Sequence, residues 1–141
     1  MKTEYKQYII TTPDNFQKVP LPGFQAWYDA LMKNPPQGKG QLCKVEKGIR
    51  KYCCLGVLCE TQGRLNKKDV FFYDGNESAD ELSTDNPLRL ILGELGKFPV
   101  DCNVHLTNSP NLYGSFATIN DSLGMTMIDI AEVLNTFFCE P

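Results

Sequence analysis

The side chains able to do chemistry here are six cysteines, one histidine and a run of cations, densest between residues 37 and 63. Cys53, Cys54, Cys59, Cys102 and His105 could together supply four ligands to zinc, and Cys102-x-x-His105 has a suitable local spacing. A structural zinc site, however, is built from two paired knuckles, and Cys53-Cys54 with a four-residue gap to Cys59 is not one. Neighbouring cysteines on a strand also point to opposite faces. Core packing is therefore the expectation for the cysteines, with no metal and no cofactor. Nucleophilic catalysis needs a thiolate with a base beside it. His105 is the single histidine, and no acidic residue is placed in sequence to orient it. The carboxylate pairs Asp74/Glu77 and Asp80/Glu81 lie in a polar stretch with nothing to raise a pKa. The sequence reads as a non-enzyme.

Anion binding is the chemistry that the residue types favour. Residues 39–68 carry eight Lys or Arg against two Glu, and residues 69–85 carry six Asp or Glu with no cation. A helix expected to begin near Cys54-Leu55 offers free backbone N–H groups, and Arg50 and Lys51 immediately precede it. Gly38-Lys39-Gly40 lacks the strand-before, helix-after setting of a phosphate loop. The candidate ligand-binding residues are Trp27, Lys39, Arg50, Lys51, Tyr52, Asn120 and Asp121, lining one pocket for a small nucleotide-like anion. Asn120-Asp121 has a plainer reading as a turn or cap. Strand alternation sends Arg50 and Lys51 to opposite faces, so one of them faces such a pocket. The net charge of −3 argues against nucleic acid as a partner.

These residues need elements to hold them. Residues 41–45 and 49–53 read as two strands of a hairpin around Glu46-Lys47-Gly48. Leu55, Leu58, Cys59 and Gln62 then fall at helical spacing, with Gly63 as the stop. Upstream, Phe24, Trp27, Tyr28 and Leu31 form the stripe of a helix that starts near Pro22 and is stopped by Asn34-Pro35-Pro36. Residues 1–21 read as an arm that pairs or packs locally, turning at Thr12-Pro13-Asp14-Asn15.

Downstream, Val70-Phe71-Phe72-Tyr73 is a short strand, 76–85 an acidic exposed loop, and Asn86 to Gly96 a helix with both end signals. Val100, Cys102, Val104 and Leu106 alternate as in a half-covered strand. Asn108-Ser109-Pro110 turns the chain, and Ser115 to Ile119 is too short to assign. Thr126 with Asp129 resembles a capping box, and Met127, Ile130, Ala131, Leu134 and Phe138 give the last helix its apolar face. The fold class is α+β: one small domain over residues 22–141, with a short, largely antiparallel sheet packed against three or four helices. At 141 residues, 42% hydrophobic and 22% charged, the chain suits a single soluble domain. No signal peptide or membrane span is apparent, so the cytoplasm of a host cell is the expected setting, with reduced thiols.

Trp27…Leu31, Gln37-Gly38-Lys39-Gly40, Cys53-Cys54-Leu55-Gly56-Val57-Leu58-Cys59 and Asn120-Asp121…Ile130-Ala131 together resemble a family of small tailed-phage and prophage proteins. The resemblance spans roughly residues 24 to 138, and the cysteine segment is its most specific part. It departs at Ile119 and Met127, in the long N-terminal arm and in the acidic insertion. It implies a phage-type accessory protein and carries no activity with it. Two functions follow as expectations. One is sequestration of an anionic nucleotide-like compound such as a host immune signalling nucleotide. The other is inhibition of a host protein by docking, through the acidic 74–85 loop. A homo-oligomer is compatible with either.

Overall fold

A computed structural model of the chain describes residues 1–39, 43–61, 98–108 and 116–141. Among them the expected hairpin forms as β4 (Cys43–Glu46) and β5 (Ile49–Tyr52), joined by Lys47-Gly48. Both turn residues have positive φ, 51° and 78°, which is what a two-residue turn between right-twisted strands demands. Register pairs Lys44 with Lys51, Val45 with Arg50 and Glu46 with Ile49. The chain then passes through Cys53 directly into α2 (Cys54–Thr61). Cys54 to Cys59 are all buried, so this helix is covered beyond one stripe until Glu60 and Thr61, which are exposed.

Helix α1 (Phe24–Met32) buries Phe24, Trp27 and Leu31, as its spacing predicts. It ends where Asn34, at φ 54°, turns the chain ahead of Pro35-Pro36. Residues 116–121, unassigned from sequence, form α3 (Phe116–Asp121). The closing helix α4 (Met127–Phe137) begins at Thr126, whose side chain accepts from Asp129 N at 3.2 Å. Phe138 is not on its face. The helix ends at Phe137, and Phe138 opens β7 (Phe138–Cys139), which pairs in parallel with β3 (Val19–Pro20).

The N-terminal residues are not a separate arm. β1 (Lys2–Tyr5), β2 (Tyr8–Thr11) and β6 (Asn103–Leu106) form an antiparallel sheet in that spatial order, with β2 in the middle. Alternation along β2 sends Tyr8 and Ile10 into the core beside Val104. The partner strand lies almost a hundred residues away, which is why local signals alone read this segment as an arm. The expected strand from Val100 is shortened. Asp101 sits at φ 62°, and Val100, at 83% exposure, lies outside the core.

The fold is α+β, with four helices and three small sheets among the described residues. Its core gathers Trp27, Leu31, Leu55, Leu58, Phe116, Ile119, Met127, Ile130 and Phe137 where the four helices meet. No described helix is long and apolar enough to cross a membrane. The strand expected at 70–73, the acidic loop at 76–85 and the helix expected at 86–96 lie outside the described residues.

Candidate functional site

The strand-to-helix junction is closed by internal partners. Cys53 takes the N-cap place of α2, its Sγ accepting from Gly56 N at 3.4 Å. The Oδ1 of Asn120 accepts from Cys54 N at 3.2 Å and from Gln37 Nε2 at 2.9 Å. Its Nδ2 donates to Gly38 O at 2.9 Å and to Asp121 Oδ1 at 2.6 Å. Asn120 is fully buried, so it ties α3, α2 and the 36–38 segment together from inside. The N–H groups expected to hold an anion are thus taken by Asn120 and Cys53.

Trp27 is likewise interior. Its Nε1 donates to Cys54 O at 2.9 Å, and its ring meets Phe116 edge-on at 6.3 Å. With no exposed surface it cannot line a pocket open to solvent. Burial pushes the Cys53 thiol up to about 12 and the Cys54 thiol well above its ordinary value, so neither is a thiolate near neutral pH. The six cysteines are free thiols, four of them buried. His105 sits with Nδ1 2.9 Å from Leu106 O. Among the described residues no group of three or more His, Cys, Asp or Glu is placed to hold a metal ion.

The cations divide between the two faces of the hairpin, as alternation requires. Lys44 and Lys51 stand side by side on the outer face and clamp Glu46, at 2.8 and 3.0 Å. Their hydrogen bonds hold the Glu46 carboxyl down at about 2. Lys39 is exposed, just past Gly38, whose position lies against the Lys51 side chain. Arg50 turns to the other face. It hydrogen-bonds the Tyr52 hydroxyl and approaches Glu60 at 4.0 Å.

That inner face opens on a cleft of about 240 Å³, lined by Ala30, Lys33, Pro35, Tyr52, Val57, Glu60 and Thr61. Its walls come from Ala30 on α1 and Lys33 at that helix's C-cap, and from Val57, Glu60 and Thr61 on α2, with Tyr52 as the aromatic wall. The lining is almost wholly apolar, while Lys33, Glu60 and the adjoining Arg50 bring charge to its edge. Burial and the Glu60 carboxylate raise the Tyr52 phenol, which therefore stays protonated and able to donate. Two larger troughs, about 550 and about 390 Å³, flank β1 and α4 and share Thr3, Lys18 and Thr136. They contain none of the seven candidate ligand-binding residues.

Of the seven expected ligand-binding residues, then, Arg50 and Tyr52 meet at one cleft. Lys51 lies on the hairpin's other side, Lys39 is exposed and outside the cleft lining, and Trp27, Asn120 and Asp121 belong to the interior and its polar hub. Lys33, Val57 and Glu60 were missed. Ala30 and the C-cap Lys33 are three apart along α1, and Val57, Glu60 and Thr61 follow i, i+3, i+4 on α2, so both walls were visible as helical faces. Their convergence required the packing of α1 on α2. Compared with protein families, curated proteins and solved structures, the chain matches none.

Proposed function

We propose that this protein is a non-catalytic, phage-type accessory protein that binds and sequesters a small anionic nucleotide-like ligand in the host cytoplasm. The ligand's flat ring enters the cleft beside Tyr52, and its anionic part meets Lys33 and Arg50 at the edge. The cleft itself carries the reading: an apolar slot with one aromatic wall and a few converging polar groups is the usual form of a small-molecule site. Its size suits a single ring system and leaves a phosphate outside, where the cations are. The protonated cysteines at the α2 junction favour binding over chemistry.

The test is thermal melting with a panel of mono-, di- and cyclic nucleotides. A ligand at a hundred times its Kd adds roughly 3 kcal/mol of stability, on the order of 10 °C for a domain of this size. Tyr52→Ala and Lys33→Ala should abolish the shift, Lys39→Ala and Lys51→Ala should leave it, and salt should weaken it. Absence of any shift across the panel would reject the ligand reading and transfer its weight to docking on a host protein.

A further inference from the structure

We propose that the outer face of the β4–β5 hairpin is a docking surface for an acidic segment of a partner protein. This face is separate from the Tyr52 cleft and does not depend on it. Lys44 and Lys51 are register partners, and Glu46 and Ile49 form the pair two positions nearer the turn, past Val45 and Arg50, so all four side chains share one side. Lys47 stands exposed at the turn itself. Two ammonium groups share the single carboxylate of Glu46, so the face stays net positive after its internal pairing.

Beyond these charges Ile49 is 52% exposed, and Val45, across the turn on the opposite face, is 48% exposed. A scattered exposed aliphatic means nothing by itself. Here an aliphatic is flanked by lysines at the end of a hairpin that pairs with no other described strand, apart from one bridge at Gln37–Tyr52. An acidic peptide segment that carries an aliphatic side chain satisfies both features. A nucleic-acid backbone satisfies only the charge and leaves the aliphatic side chain without a partner.

The experiment measures fluorescence anisotropy of a labelled probe peptide, Glu-Asp-Leu-Glu-Glu-Leu-Asp, titrated with the whole protein at low and high salt. Saturable binding that falls with salt is expected. Ile49→Asp and the double change Lys44→Ala with Lys51→Ala should each weaken it by about tenfold or more. Glu46→Gln should strengthen it, because the internal competitor for the lysines is gone. Lys33→Ala should change nothing, which separates this surface from the cleft. All these positions are partly exposed, and unchanged melting curves establish that the variants fold. The proposal is overturned by absence of saturable binding, by equal affinity of Ile49→Asp and wild type, or by tighter binding of a single-stranded oligonucleotide than of the peptide.

Discussion

Replacing Asn120 by Ala tests whether this residue belongs to the interior or to a ligand pocket. The change removes four hydrogen bonds at once, to Gln37 Nε2, Cys54 N, Gly38 O and Asp121 Oδ1. Gln37 keeps a second acceptor, Met125 O at 2.8 Å. Cys54 N–H does not: it lies in a buried junction at the first turn of α2 and loses its acceptor. An orphaned buried donor costs about 1–3 kcal/mol, and the remaining bonds roughly 1 kcal/mol each, so about 3–5 kcal/mol is expected. A domain of this kind has about 5–15 kcal/mol in all. Urea unfolding should therefore show a large fall in midpoint with little change in slope.

Asn120→Asp sharpens the test. It keeps an acceptor for Cys54 N and Gln37 but loses the donor to Gly38 O, and sets a carboxylate against that of Asp121. Burial and like charge both raise the pKa of the new group above its unfolded value. Its destabilisation is then full at neutral pH and eases as pH falls and the carboxyl protonates. If either variant melts with the wild type while nucleotide binding is lost, the interior assignment is wrong and Asn120 lies at a pocket lip.

Trp27→Ala should cost about 3–5 kcal/mol from the cavity it leaves, and Trp27→Phe about 1–2 kcal/mol for the lost bond to Cys54 O, both read from denaturant midpoints. Cys53 and Cys54 should resist iodoacetamide in the native protein at mildly alkaline pH, yet react once urea is added; rapid alkylation of the folded protein would contradict their burial. Because the folded Cys53 thiol titrates at about 12 and an unfolded one near 9, its contribution is fully present below the unfolded value. Stability should fall as pH rises from 9 toward 12, followed by alkaline melting. Glu46 has the opposite sign: a depressed pKa gives a contribution present above 4.5 and lost as pH falls toward 2, and NMR titration should show the value climbing back in Lys51→Ala.

Local spacing was enough for the parts of this protein whose partners are close in sequence. The 3.6-residue period placed α1 and most of α4, and Gly48 placed the hairpin turn, although Glu46, read from sequence as part of that turn, belongs to β4. The alternation that sends Arg50 and Lys51 to opposite faces was equally legible.

The helix N-termini show where that reach ends. Thr126 caps α4 from three residues away and was visible as Thr126…Asp129. The box is only half made, however. Asp129 does not turn back to its own helix; it accepts from Lys6 at 2.7 Å and from Tyr5 at 3.1 Å, on the first hairpin. Asn120 reaches α2 from 66 residues away. At α1 the N-cap is Gly23, which has no side chain to offer, and the Glu140 carboxylate closes the end by accepting from Gly23 N and Gln25 N, at 3.2 and 2.9 Å. Any polar oxygen satisfies an open helix end, so the sequence near the helix does not say which one will. β7 carries Glu140 to Gly23 and the packing of α3 carries Asn120 to Cys54; until those contacts form, neither cap exists. The cleft beside Tyr52 has the same origin, since Lys33 and Glu60 share its edge only after α1 has packed on α2.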